Sequence, residues 1–179
     1  MRLLVLERDG VINEHAGVCI KSPDEWRPLS GSLEAITRLT QAHYHIAVIT
    51  NQSGVAQGLF DIQTLHQIHA RMQRELAQCG GRIDVIYYCP HGPDDDCMCR
   101  KPRAGMLRDL AKRLQVDLTD VAVVGDALPD LQAARAVKAR PILVRTGQGL
   151  HTEQRGEGLD GVEVFENLAA VVDQLLREA

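Results

Sequence analysis

The chain has 179 residues, with 20 Lys and Arg against 24 Asp and Glu, a formal charge of −4. That length suits one domain, residues 1–179, burying roughly 70 % of its unfolded surface without a staple. A composition 45 % hydrophobic and 25 % charged argues against disorder; the acidic balance argues against a nucleic-acid partner, and the lack of a ~20-residue apolar run against a membrane span.

Leu3–Leu6 is a continuous apolar run closed by Glu7-Arg8-Asp9-Gly10, the pattern of a buried parallel strand, and it is too short for a signal peptide. Residues 7–30 lack periodicity and read as a loop anchored by Trp26. Ser32 is placed to cap a helix with Leu33, Ile36, Leu39 and Thr40 on one face. Residues 46–49 form a second strand, broken by Asn51-Gln52-Ser53-Gly54. Asp61 caps a longer helix whose Ile62, Leu65, Ile68, Met72 and Leu76 share a face; Cys79-Gly80-Gly81 ends it. Its His66 and His69 read as surface or partner contacts.

Residues 85–88 are a third strand, and Met106, Leu107, Leu110 and Leu114 form a helical stripe. A fourth strand at 121–124 stops at Gly125-Asp126, followed by a helix at 131–137 and a fifth strand at 142–144. Residues 146–161 are Gly-rich and polar and read as a mobile surface loop; residues 168–176 form a terminal helix. This alternation predicts an α/β fold: an open parallel Rossmann-like sheet with helices on both faces. No insertion is long enough for a large cap domain.

In such sheets the ligand crevice lies beyond the carboxyl ends of the strands. Glu7 and Asp9, Thr50 and Asn51, and Asp126 with Asp130 sit at three of those ends. Clustered carboxylates suit a hard cation such as Mg²⁺. Arg100, Lys101 and Arg103 make a local basic cluster suited to a phosphorylated ligand, with Arg103 read as a solvated face.

Five cysteines are an odd number for a disulfide framework and point to a reducing cytoplasm. Three of them form Cys89-x-His91-x5-Cys97-x-Cys99, four donors that complete a tetrahedral Zn²⁺ site with no open position, hence a structural zinc-binding loop. Cys19 and Cys79 stand apart, and His15, His43, His45, His66, His69 and His151 show no ligand spacing.

Leu6-Glu7-Arg8-Asp9-Gly10-Val11, Thr50-Asn51-Gln52-Ser53-Gly54, Arg100-Lys101-Pro102 and Val124-Gly125-Asp126 resemble the four ordered motifs of haloacid dehalogenase superfamily phosphatases. Residues 51–58, Tyr87-Tyr88-Cys89-Pro90-His91 and Leu143-Val144-Arg145-Thr146-Gly147 are most similar to the D-glycero-D-manno-heptose 1,7-bisphosphate 7-phosphatases. The histidinol-phosphate phosphatases share the zinc loop and stay open as an alternative.

The resemblance implies Mg²⁺-dependent hydrolysis of a sugar 7-phosphate in lipopolysaccharide-precursor synthesis, by a cytoplasmic monomer. It puts Glu7 at the nucleophile position, Asp9 at the acid/base position, and Thr50 and Lys101 on the transferring phosphoryl group. Mg²⁺ falls to Glu7, the Asp9 backbone carbonyl and Asp126, with Asp130 orienting metal waters. His15, Ala16, Gly17, Val18, Asn51, Gln52, Ser53 and Arg100 are the implied substrate contacts. Two positions depart from the family: its nucleophile is Asp where this chain has Glu7, and close relatives carry a Lys where this chain has Ala127. The first departure admits a phosphate-binding pseudophosphatase as a further alternative.

Overall fold

The computed structural model describes residues 1–15, 17 and 19–179. Its strands are β1 (Leu3–Leu6), β2 (His45–Asn51), β3 (Val85–Cys89), β4 (Ala122–Gly125), β5 (Arg140–Val144) and β6 (Glu163–Phe165). They make one sheet in the order β3-β2-β1-β4-β5-β6, every pairing parallel. The helices are α1 (Ser32–Gln41), α2 (Ile62–Gln78), α3 (Gly105–Leu114), α4 (Leu128–Arg135), α5 (Gly149–Arg155) and α6 (Leu168–Glu178).

Strand side chains alternate between the two faces of a sheet, and β1 distributes its four apolar residues that way. Leu4 and Leu6 join a core with Ile36 of α1, Ile68 of α2 and Val171 of α6. Leu3 and Val5 join a second core with Leu107 of α3 and Ala133 of α4. Each fully buried Leu contributes roughly 1.5–3 kcal/mol, which fixes the register of the central strand. The chain winds outward from β1 through β2 to β3, then returns to β4 on the other side of β1. That reversal opens a crevice at the carboxyl ends of β1 and β4. Val11, Ile12, Ile20 and Trp26, in the long connection after β1, are packed into the first core, so Trp26 is the anchor expected of it. Among the described residues no large cap stands over the crevice.

Several elements differ from expectation for local reasons. Ser32 does not cap α1: Gly31 takes the cap position in left-handed conformation (φ 80°), and the Ser32 hydroxyl donates to Val11 O at 2.8 Å, tying the helix to the first loop. Helix α4 starts at Leu128, because Pro129 in its first turn needs no N–H partner and the Asp130 carboxylate accepts from Ala127 N at 3.1 Å. Residues 146–161 are not simply a loop. They contain α5, whose Glu153 is gripped by Arg145 at 2.6 and 2.7 Å and which stops at Gly156 (φ 69°). Strand β6 was not expected; its three residues are only half-buried. Ile62 is 42 % exposed, outside the buried face of α2. Among the described residues, no helix is long and apolar enough to cross a membrane.

Candidate active site and metal centre

β1 stays paired with β4 up to Glu7, whose backbone N donates to Val124 O at 2.9 Å. The Glu7 side chain is buried at the strand exit. Its Oε1 accepts from Thr50 Oγ1 at 2.5 Å, and its Oε2 pairs with Lys101 Nζ. An ammonium has three N–H donors, and Lys101 places them on Glu7, on Ile49 O at 3.1 Å and on Asp130 Oδ1 at 2.6 Å. Asn51 fixes the Lys101 backbone from both sides, accepting from its N at 3.0 Å and donating to its O at 3.1 Å.

Asp9 receives three donors. Arg8 Nε and Asn13 Nδ2 each reach Oδ1 at 2.9 Å, and Gln52 Nε2 reaches Oδ2 at 3.1 Å. Burial alone would raise the Asp9 pKa, but the Arg8 charge and these hydrogen bonds hold it below the usual carboxylate value. Arg8 is fully buried, with Nη1 3.0 Å from His69 Nε2 and Nη2 donating to Gln52 Oε1 at 3.3 Å. Gln52 Nε2 also donates to Thr50 Oγ1 at 2.9 Å. Glu7, Thr50, Gln52 and Asp9 therefore form one hydrogen-bonded row.

Asp126 closes the site from β4. Its Oδ2 accepts from Gln148 N at 2.8 Å. Burial first, then the neighbouring Asp130 charge, push its pKa up to about 7. Gly10 allows this approach: at φ 80° it lies so close that a side-chain carbon there would strike the Asp126 carboxylate.

Glu7, Asp9, Asn51, Lys101, Asp126 and Asp130 line one cavity of about 220 Å³, together with His15, Ser53 and Arg100. Sequence reading put Gln52 among the ligand contacts; it is buried and absent from this lining, and it braces Thr50 and Asp9 instead. Gly17 is not in the lining, and Ala16 and Val18 lie outside the described residues. Asp130, read as an orienter of metal waters, holds Lys101 and caps α4. Ala127 borders both this cavity and an adjoining one of about 320 Å³ that His151 and Arg155 also line.

His69 corrects its surface reading: it is buried against Arg8, while His66 meets the Tyr88 hydroxyl at 3.1 Å. Arg8, Asn13, His69 and Gln148 were missed as site residues. The one signal available was an Arg set between two carboxylates.

Cys89, at the end of β3, is joined by His91, Cys97 and Cys99 in a cluster whose ligand atoms all lie within 4.8 Å of one another. Cys89 Sγ is 3.8 Å from Cys97 Sγ, the edge of a tetrahedron with bonds of about 2.3 Å. His91 Nδ1 is 3.5 Å from Cys89 Sγ and 3.3 Å from Cys99 Sγ. The donor set fits zinc. Arg100 Nη1 donates to His91 O at 3.2 Å, so the cluster's loop runs directly into the cavity-lining Arg100 and Lys101. Arg103 pairs with Asp96 at 3.2 Å on the loop surface, as its solvated reading implied.

A HAD-hydrolase-like family model matches residues 98–171. The D-glycero-beta-D-manno-heptose-1,7-bisphosphate 7-phosphatase of Bordetella bronchiseptica is 55 % identical over 179 residues, the full length of both chains. The protein of that name from Pseudomonas aeruginosa is 50 % identical over 98 % of each chain. The crystal structure of the D,D-heptose 1,7-bisphosphate phosphatase from B. bronchiseptica, complexed with magnesium and phosphate, superposes with a TM-score of 0.98 over the whole of both chains at 55 % identity.

Proposed function

The chain belongs to the D-glycero-β-D-manno-heptose-1,7-bisphosphate 7-phosphatases, a family of HAD-like hydrolases, and on that premise we propose how its own residues remove the 7-phosphate. A Glu7 oxygen attacks phosphorus in line and the bond from phosphorus to the C7 oxygen breaks; Asp9, ionised in the free site and protonated once the substrate phosphate brings its negative charge beside it, gives that proton to the departing alkoxide. Asp9 then takes a proton from water. The resulting hydroxide attacks the acyl-phosphate, freeing inorganic phosphate and regenerating the Glu7 carboxylate. Thr50 and Lys101 stabilise the transferring phosphoryl oxygens.

Mg²⁺ would be held by Glu7, the Asp9 backbone carbonyl and Asp126, and when bound it neutralises charge on the phosphoryl group. The fit rests on Asp126, whose buried charged form is disfavoured beside Asp130 and is favoured by an adjacent cation. His15, Asn51, Ser53 and Arg100 face the sugar, and zinc on Cys89, His91, Cys97 and Cys99 orders the loop that presents Arg100 and Lys101. We place the enzyme in the cytoplasm, where such thiols stay reduced, as a monomer.

The observation that carries this reading is Glu7 clasped between Thr50 and Lys101 in the cavity that Asp9 and Asp126 also line. Release of one phosphate from the heptose 1,7-bisphosphate, leaving the 1-phosphate intact by NMR, tests it; no release with Mg²⁺ saturating overturns it. A second reading, phosphate binding without turnover, is favoured by the engagement of both Glu7 oxygens. It predicts release only after Glu7→Asp. The names of the curated relatives speak against histidinol phosphate.

A further inference from the structure

We infer that His69, acting through Arg8, is a positioning residue for Asp9 and so sets the step in which the leaving alkoxide is protonated. The inference rests on Asp9 being the acid/base group proposed above.

A carboxylate at the end of a short side chain turns freely unless donors fix it. Arg8 can fix Asp9 only if its own plane is fixed. Nε and Nη2 both face Asp9 Oδ1 at 2.9 Å, Nη2 also donates to Gln52 Oε1 at 3.3 Å, and Nη1, on the far edge of the plane, meets His69. Asp9 and Gln52 belong to the row that joins Asp9 to Glu7. His69 alone comes from α2, 61 residues away in sequence, and it stops the plane from rotating. A guanidinium only donates, so His69 Nε2 presents its lone pair. Burial and the Arg8 charge hold the His69 pKa down at about 3, so the accepting form persists at neutral pH. Loss of that acceptor frees Nη1 to seek another, carrying Nε away from Asp9.

A residue that acts on proton delivery affects poor leaving groups more than good ones. A sugar alkoxide needs the proton, whereas p-nitrophenolate leaves without it. The test compares single-turnover cleavage of the heptose bisphosphate and of p-nitrophenyl phosphate, in the native chain and in parallel in Glu7→Asp. His69→Leu and His69→Asn remove the acceptor at the Nε2 position; His69→Gln restores one. Should the Leu variant fail to fold, the polar Asn variant decides.

The expected result is a loss of about tenfold or more on the sugar ester. KM stays within about threefold, p-nitrophenolate release within about twofold, and Gln recovers most of the rate. Equal losses on both substrates, or none on either, overturn the inference. Asp9→Asn separates the two layers: if it too slows both substrates equally, the acid/base reading of Asp9 has failed, whereas a selective Asp9→Asn with an unselective His69→Asn sinks the inference alone.

Discussion

Lys101 Nζ lies 2.6 Å from Asp130 Oδ1, a buried pair joining the loop before α3 to the first turn of α4. Asp130 Oδ2 accepts from Asp126 N and Ala127 N, each at 3.1 Å. Asp130→Ala removes a helix cap and one of three Lys101 partners together. The expected cost is about 1–3 kcal/mol, read as a lower urea midpoint, with turnover falling because Lys101 is no longer aimed. Asp130→Asn retains an acceptor for the cap and should cost less. An unchanged midpoint in Asp130→Ala would contradict this role.

Glu7 carries one methylene more than the family's Asp, an extension of ~1.5 Å at bond-length scale, and misplacement of ~1 Å can cost ~10²-fold. Glu7→Asp should raise kcat by about 10²-fold with a smaller change in KM, because only the transition state demands in-line geometry. A kcat within a few-fold of the native chain would mean that the backbone after Leu6 already seats the longer carboxylate.

Asp126→Asn should weaken Mg²⁺ binding and abolish turnover, whereas Cys79→Ser, at an exposed position outside the cluster, should do neither. Isothermal titration with Mg²⁺ checks the first part. Undiminished binding would remove Asp126 from the metal site.

Metal-replete protein should hold one tightly bound zinc per chain by elemental analysis. Chelation should loosen residues 89–101 first and so reduce turnover, because zinc binding and loop ordering are coupled. Full activity after complete zinc removal would show that Arg100 and Lys101 keep their places without it.

Burial, with the Arg8 charge, lowers the His69 pKa from its usual 6.5 to about 3, so the unfolded chain binds a proton that the folded chain refuses between those values. A depressed base destabilises the folded state as pH drops, and the loss from pH 6.5 to 5 is on the order of 1–2 kcal/mol. Asp126, with its raised value, acts in the opposite sense. The difference between native and His69→Gln urea midpoints across that range therefore isolates His69. Parallel acid limbs would show that His69 already protonates in the fold.

The strands and the groups at their ends were legible because a parallel sheet writes itself as short apolar runs broken by polar residues, with Glu7, Thr50 and Asp126 at the breaks. The zinc ligands were legible because four donors sit within eleven residues. The Arg8 network was not: it spans 44 residues to Gln52 and 61 to His69, and nothing at either position marks a partner so far away. Helix α5 was hidden by glycines at both ends of a seven-residue segment with two buried residues, Gly149 and Thr152. Gln52 looked like a ligand contact from its motif, and only packing shows that it turns inward.

Both ends of the zinc-bearing segment are stitched to the same short stretch of β2. Cys89 pairs with Asn51 in the sheet and accepts from Gln52 N at 2.8 Å, while Lys101 is bracketed by the Asn51 amide. Residues 90–100 thus form an exchangeable cassette with its sockets built into the scaffold. Provided that His91, Cys97 and Cys99 are kept, its other side chains can change while Thr50 and Lys101 keep their mutual alignment, because both anchors belong to the sheet.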